Sequence, residues 1–525
     1  AQENIKGVEM SDTVVSTEGS QQREFMGHPV GLTVCFLTEM WERFSYYGMR
    51  TILVLYLIKY HLFTNEKASM IYGAYAGLVY MMPIIGGYMA DRYLGSRKAV
   101  TYGAILLVLG HGLMGFHGPQ AYMEGETIVR DEFYLSLFFL SLALIITGVG
   151  FLKANISTIV GALYGPNDPR RDGGFTIFYM GINVGSVLST IIVGYVGETY
   201  GWSYGFMLAG IGMLFGLLVF LWGQKLLDGR ADPPNAPELK ESAVGPINKE
   251  NAIYLFGIAL VGVSWFMMQY QDLVGQLLGV SGLVMLAVIL VYGFTKCTKV
   301  EGQRLAVACF LIAVQSVFWA LFEQQAASLT VLADEQFNRD ILGIFEVKAS
   351  QVQSMNPLFI VIFAPVFAWM WVKLANKGWE PSTPAKFAIA MLLIGLGYIV
   401  FSWGMSLDDG NSKSFIWLVL IYLSLTLAEL CLSPVGLSMV TKLSVSRIVG
   451  MVMGTWFLFT ALGNYVAGWI SSLTGSGAHG GSDGAVLDVI ATMEVYTNIG
   501  LISMGVGVFI LLLTPILRKG MHGVH

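Results

Sequence analysis

The feature that most constrains this chain is a repeated one. About fourteen apolar segments, each long enough to cross a bilayer, are separated by polar links. They lie at approximately 31–59, 68–90, 98–116, 133–162, 174–198, 203–224, 253–271, 277–296, 303–330, 351–373, 384–406, 414–438, 447–473 and 491–517. The hydrocarbon core offers no water to the backbone, so each segment must satisfy its own N–H and C=O groups, which predicts helices. Composition agrees, with 12% charged residues against about 25% in a soluble domain. The 62 glycines suit closely packed membrane helices. The chain reads as an all-α integral membrane protein.

Basic residues orient it. With the N-terminus inside and links assigned alternately, nineteen Lys and Arg fall on the cytoplasmic side. Six fall outside: Lys59, Lys67, Arg130, Arg339, Lys348 and Lys413. Both termini are therefore expected in the cytoplasm, in a plasma (inner) membrane. Residues 1–25 are polar with no apolar core, so no signal peptide is read there. The Pro-rich stretch around Asp232-Pro-Pro-Asn-Ala-Pro-Glu splits the chain after six spans. The expected order is a tail at 1–27, a six-helix bundle at 28–225, a cytoplasmic linker at 226–252, an extra helix pair at 253–296, a second six-helix bundle at 297–518 and a tail at 519–525. The extra pair is expected at the periphery, with Asp272 at its hairpin. Two six-helix halves resemble the major facilitator fold, in which the substrate site lies between the halves near the midplane. The loop Asp91-Arg-Tyr-Leu-Gly-Ser-Arg-Lys, preceded by Gly86-Gly87, resembles that superfamily's loop motif.

Within the first span, Glu39, Glu42, Arg43, Tyr46, Tyr47 and Arg50 fall on one helical arc of about 140°. Charges facing lipid cost several kcal/mol each, so this face must turn inward, toward a polar cavity or toward other helices. Other spans contain few charges, among them Lys153, Glu323 and Glu429. At about 1.5 Å per residue, Arg50 and Glu323 lie about 28 and 30 Å from the cytoplasmic end, and Lys153 and Glu429 about 12 Å from it. Arg50–Glu323 and Lys153–Glu429 are thus candidate gate pairs between the halves. Pairing within a half, Lys153 with Glu39 or Glu42, is the other arrangement. Asn183 and Asn356 are amides within apolar spans that either bind a substrate or cap a broken helix. Tyr80, Trp319 and Trp456 fit packing or a site. The four cysteines form no CxxC and read as small buried hydrophobes; no metal motif is legible. The net charge of −5 speaks against a nucleic-acid partner.

The stretch Glu39-x-x-Glu42-Arg43-Phe44 with Tyr46, Tyr47 and Arg50 resembles the first-helix signature of the proton-dependent oligopeptide transporter family. Gly86-Gly-Tyr-Met-Ala-Asp91 with Gly95, and Phe175-Thr-Ile-Phe-Tyr-Met-Gly-Ile-Asn183-Val-Gly-Ser, resemble its second and third. The resemblance covers nearly the whole chain, including the extra pair typical of bacterial members. It implies symport of protons with di- and tripeptides, no cofactor beyond the coupling proton, lipid as surroundings, action as a monomer and no enzymatic activity. It places Arg50 and Lys153 at the peptide carboxylate, with Tyr46, Tyr47 and Tyr80 around it. Glu429, Asn183 and Asn356 fall at the peptide amino terminus, and Ser433, Trp319 and Trp456 line the pocket. Glu39, Glu42, Arg43, Lys153 and Glu323 fall in the proton-coupling set. One departure stands out: animal members carry a histidine in the second helix where this chain has Gly73, and His61, in the outer loop, is no obvious replacement. A nitrate or other small-anion carrier on the same fold is the alternative, and an intramembrane enzyme a more distant one. Glu429 favours peptide over nitrate, which has no ammonium group for it to hold.

Overall fold

The computed structural model describes residues 23–524 except 166–167, 342, 409–411 and 482–483. The predicted tail therefore lies mostly outside the described residues. At its end, Glu24–Phe25 pairs with His28–Pro29 in a tight ribbon turned at Met26 and Gly27, both at positive φ.

Fourteen helices of 20 residues or more follow among the described residues. The first half comprises α1 (Val30–Lys59), α2 (Asn65–Met89), α3 (Gly95–Met114), α4 (Glu132–Ala162), α5 (Arg171–Tyr200) and α6 (Trp202–Gly223). The extra pair is α7 (Lys249–Gln269) and α8 (Gln271–Lys296). The second half comprises α9 (Lys299–Phe322), α10 (Met355–Asn376), α11 (Thr383–Leu407), α12 (Phe415–Leu443), α13 (Val449–Ser472) and α14 (Val489–Met521). Twelve apolar stretches meet the length and hydropathy of a membrane span; one of them, Asn65–Met114, holds both α2 and α3, and α1 is kept off that count by its charges. The all-α membrane fold with six, two and six helices is the one expected.

Within the first half α1 packs on α5 and α6, and α4 on α2 and α3. Within the second, α11 packs on α12 and α14, and α9 on α13. The halves meet chiefly where α2 lies against α13. An even number of crossings brings both described ends of the chain to one face, the terminal end. The opposite face, the loop end, carries the turns after α1, α3, α5, α7, α9, α11 and α13.

Two segments differ from the pattern reading. The span expected at 303–330 is broken: α9 stops at Phe322, Glu323–Ala326 forms a 3₁₀ turn, and a short helix runs Ser328–Gln336. A break in an apolar span frees backbone carbonyls, and here side chains from neighbouring elements satisfy them. The Gln325 carbonyl accepts from the Tyr422 hydroxyl at 3.1 Å and from Thr330 at 2.7 Å. Gln324 reaches across to the Ala467 carbonyl at 2.9 Å.

The linker is docked rather than loose. Ala236–Leu239 forms a helical turn capped by Asn235, and Leu239 is buried against Ala90, Leu94 and Ala99. Arg97 holds Asp232 at 2.5 Å. This approach requires Gly95: its φ is +71°, and a Cβ there would stand 2.5 Å from the Pro233 nitrogen. The glycine of the loop motif thus admits the linker to the end of the bundle.

The extra pair lies on the outside of the bundle with one helix on each half. α7 packs on α4 and touches α3: Tyr102 donates to the Tyr254 carbonyl at 2.8 Å, and Lys98 meets Glu250 at 2.6 Å. α8 packs on α9 and α13. Only Tyr270 separates the two helices, and Asp272 lies in the first turn of α8.

Candidate functional site

The polar arc of α1 is buried as a unit. Glu39, Glu42, Arg43, Tyr46 and Arg50 are each 5% exposed or less, and Tyr47 is half-buried. Spacing of three, four and seven residues stacks them on one side of the helix, so their charges compensate one another. Arg43 Nε lies 3.1 Å from Glu39 Oε1 and in contact with Glu42 Oε2. Its guanidinium stands 5.1 Å from the Tyr46 ring and 5.9 Å from the Tyr47 ring. Two carboxylates around one guanidinium form a compact acid–base cluster without water-facing charge.

Arg50 ends the arc and crosses to the other half. It pairs with the Glu323 carboxylate and donates to the Tyr72 hydroxyl at 2.9 Å; Tyr72 in turn donates to Glu323 at 3.1 Å. The break at residue 323 places the carboxylate there. Around this triangle the halves are bolted together at the loop end. Thr51 donates to the Ser350 carbonyl at 2.7 Å, Lys59 meets Asp334 at 2.6 Å, and Asn65 donates to the Ser471 carbonyl at 2.8 Å.

The second candidate pair is not formed. Lys153 Nζ sits 3.9 Å from the Tyr80 ring centroid, and among the described residues it makes no ion pair with Glu429, Glu39 or Glu42. Glu429 instead accepts from Asn356 at 3.0 Å, and the same amide reaches Thr426 at 3.0 Å. The physical reason is the spacing of the halves. α4 and α12 do not pack on each other, and Thr158, Ser433 and Ser438 of these helices are exposed. The molecule is closed at the loop end and parted between α4 and α12 toward the terminal end. Lys153 still lies within Coulombic range of Glu39, Glu42, Arg43 and Glu323, and Tyr47 within range of Arg43, Arg50, Glu323 and Glu429. The charges of both halves therefore converge on one region.

The amides differ from each other. Asn356, at the start of α10, uses its side chain to hold Glu429. Asn183 is buried, and its amide donates to the Tyr179 carbonyl one turn earlier at 3.1 Å. Trp456 is buried against Gly436, and its carbonyl accepts from Gln315 at 2.9 Å. Trp319 packs edge-on to Phe318 and Phe322, and its indole N–H has no partner among the described residues.

A family model for the POT family matches residues 97–484. The chain is 40% identical over 513 residues to a Bacillus subtilis protein named uncharacterized transporter YclF, covering 96% of this chain and 97% of the other. It is 37% identical over 523 residues to the peptide transporter YePEPT of Yersinia enterocolitica, covering 96% and 97%. The chain belongs to the POT family. Among solved structures, that of a peptide transporter POT variant in complex with alafosfalin is 36% identical to this POT family chain, with a TM-score of 0.81 and coverage of 96% and 98%. The fold is therefore that of the major facilitator transporters.

The structure of this POT family member adds residues that sequence reasoning did not single out. Tyr72 bridges Arg50 and Glu323, Thr426 shares Asn356 with Glu429, and the buried Tyr75 hydroxyl has no partner among the described residues. Tyr72, Tyr75 and Tyr80 fall at helical spacing in α2, a signal that was available. Thr426, one turn before Glu429, carries none of its own in an apolar run. The Gly73 departure has a packing cause. A Cβ at residue 73 would stand 2.9 Å from the Tyr465 carbonyl oxygen and the Gly468 Cα, so the α2–α13 crossing leaves no room for an imidazole. His61 is buried beyond the end of α1, bonded to the Tyr56 hydroxyl at 3.0 Å, away from the charge cluster.

Proposed function

We propose that this protein imports di- and tripeptides across the bacterial plasma membrane together with protons, by alternating access, with its terminal end in the cytoplasm. The observation that carries the reading is the arrangement of opposite charges on opposite halves. Arg50 and Lys153 stand on the first half, and Glu429, presented by Asn356, stands on the second. A zwitterionic peptide needs a cation at one end and an anion at the other, with adaptable aromatic surface between them. Tyr46, Tyr47 and Tyr80 supply that surface near the cations. In this reading Arg50 and Lys153 take the peptide carboxylate, and Glu429 takes the ammonium with Asn356 and Asn183 nearby. Ser433, Trp319 and Trp456 line the remaining pocket.

Coupling is assigned to Glu39, Glu42, Arg43, Lys153 and Glu323. Protonating Glu323 weakens its hold on Arg50 and releases the loop-end gate. A peptide carboxylate competes for Arg50 and Lys153, so peptide and proton binding are linked through the same ion pairs. No cofactor is assigned, and the monomer holds both halves of the site. The ammonium pole at Glu429 favours peptide over nitrate. The test is uptake of labelled dialanine into liposomes with and without an inward-acid gradient. Concentration only with the gradient supports the reading; uptake of nitrate but not dialanine overturns the substrate assignment.

A further inference from the structure

Ser350 is gripped by the opposite half at every polar group it has. Its N–H donates to Glu198 Oε1 at 2.8 Å, its hydroxyl donates to the same oxygen, and its carbonyl accepts from Thr51 at 2.7 Å. Ser350 opens the 3₁₀ turn Ser350–Ser354 of the second half, whereas Glu198 is on α5 and Thr51 on α1. The residues after it follow suit. Gln351 donates to the Ile191 carbonyl of α5 at 2.9 Å, and Gln353 donates to the Thr51 carbonyl at 3.3 Å and to Thr330 at 2.9 Å. The approach is close, for a Cβ on Gly194 would stand 2.6 Å from the Ser350 hydroxyl oxygen.

Glu198 is half-buried near the loop end of α5, and among the described residues both of its hydrogen bonds go to Ser350. The cations that neighbouring elements bring to this end are engaged elsewhere. On α1, Arg50 meets Glu323 and Lys59 meets Asp334 at 2.6 Å; ahead of the turn, Lys348 meets Glu346 at 3.5 Å. α10 carries no ionisable side chain before Lys373. The charge of Glu198 is therefore directed at the donors of Ser350, in the way an N-cap side chain serves its own helix, but from across the molecule. The turn runs into α10 without a break, since Ser354 and Met355 both have right-handed helical backbone. Asn356, whose amide holds Glu429, thus sits on the same rod as Ser350.

We infer that Glu198 is a positioning residue: it latches the start of α10 to the first half while the loop end is closed, and so sets Asn356 against Glu429. The identity of that second contact as the ammonium pole rests on the peptide reading above. When the halves part at the loop end, Ser350 leaves Glu198 and Thr51, and Asn356 moves with the rod that carries both. The outer gate and the ammonium pole then form one mechanical unit. Binding at Glu429 and closure of the loop end are linked through α10, in addition to the Arg50–Glu323 ion pair.

The test has two readouts on the full-length protein. The first is the distance between spin labels on cysteines introduced at Tyr200 and Ile344, both exposed at the loop end, with Cys297 replaced by serine and the other three cysteines buried. Glu198→Ala lowers the ratio of short to long distances about tenfold, the weight of one hydrogen bond to a charged group. Glu198→Gln, which keeps an acceptor without the charge, falls between native and Ala, a graded order that misfolding does not produce. The second readout is equilibrium binding of free and amino-acetylated dialanine. Glu198→Ala weakens the free peptide and leaves the acetylated one unchanged. Distances in Glu198→Ala identical to native overturn the latch, and lengthened distances with undiminished preference for the free peptide overturn its link to Asn356. If the native protein itself does not prefer the free peptide, the ammonium reading of Glu429 falls and that link with it, while the distances still decide the latch.

Discussion

Arg50 and Glu323, 273 residues apart and on opposite halves, form a buried ion pair that Tyr72 clasps from the side. Glu323→Gln removes the charge while keeping the shape. It is expected to abolish gradient-driven uptake of dialanine while leaving peptide exchange across liposomes without a gradient. Tyr72→Phe removes two hydrogen bonds to buried charges, one from Arg50 and one to Glu323, each on the order of 1.5–3 kcal/mol, and should raise accessibility at the loop end without abolishing coupling. Gradient-driven uptake by Glu323→Gln at the normal rate would take Glu323 out of the coupling step.

Lys153 rests on the Tyr80 ring rather than on a carboxylate. A cation held by an aromatic face gives up less on leaving than one in a buried ion pair, so it is poised to meet a peptide carboxylate or Glu429. Lys153→Ala is expected to lose gradient-driven uptake, with exchange surviving at a reduced rate. Concentrative uptake at the normal level by this variant would rule Lys153 out of coupling.

Glu429 is half-buried and held by Asn356, and its role at the peptide ammonium is checked on the ligand side. Acetylating the amino terminus of dialanine leaves the carboxylate without its partner, at a cost on the order of 2–5 kcal/mol in affinity. Equal competition by acetylated and free dialanine would refute the assignment.

Much of this was legible before the fold was known. Apolar runs located the helices because bilayer crossing sets their length. Counting 1.5 Å per residue brought Arg50 and Glu323 to one level. The same counting also brought Lys153 and Glu429 to one level, yet they do not meet, because depth along two helices says nothing about the gap between them. That gap belongs to the conformational state. The break at Glu323 was hidden for another reason: Gln324 and Gln325 are held there by bonds to Ala467 and Tyr422, residues distant in sequence, which no local pattern contains. Tyr72 went unnoticed because tyrosine in an apolar run packs as readily as it bonds.

His61 lies beyond the end of α1, buried beside Tyr56, with Arg130 donating to its carbonyl at 2.6 Å. Burial first, then the nearby Arg130 and His117, push its imidazole down to about 4, below an unfolded value of about 6.5. Between those values the unfolded chain binds a proton that the folded one does not. Stability therefore falls as pH drops from about 6.5 toward 4 and gains no further dependence from His61 below that. Thermal unfolding midpoints measured from pH 7.5 to 4.5 should drop more steeply for the native protein than for His61→Gln. Parallel curves would remove His61 as a contributor.

Orientation has a direct check. Single cysteines introduced at Lys240, in the docked linker, and at Asp408, after α11, should label from the cytoplasm and from outside respectively. The reverse labelling would overturn the assignment of the terminal end.

The outer hairpin carries a mechanical consequence. α8 is tied to α9 by the two residues Cys297 and Thr298, and α7 is tied to the first half through Lys98, Tyr102 and the docked linker. Each helix is therefore a passenger on a different half, and Tyr270 is the whole of the joint between them. When the halves rock, that joint has no slack, and the angle between α7 and α8 has to change with every turnover. α8 also touches α2 of the first half over its first turns, where Lys67 holds Gln271 at 2.6 Å and Leu278 packs on Gly77, and these contacts lie in the part of α8 nearer the joint, where the lever arm is shorter. The pair is thus a built-in protractor. A fluorophore on the far end of α7 and another on α8 would read the transport cycle from outside the bundle, without a label near the substrate path.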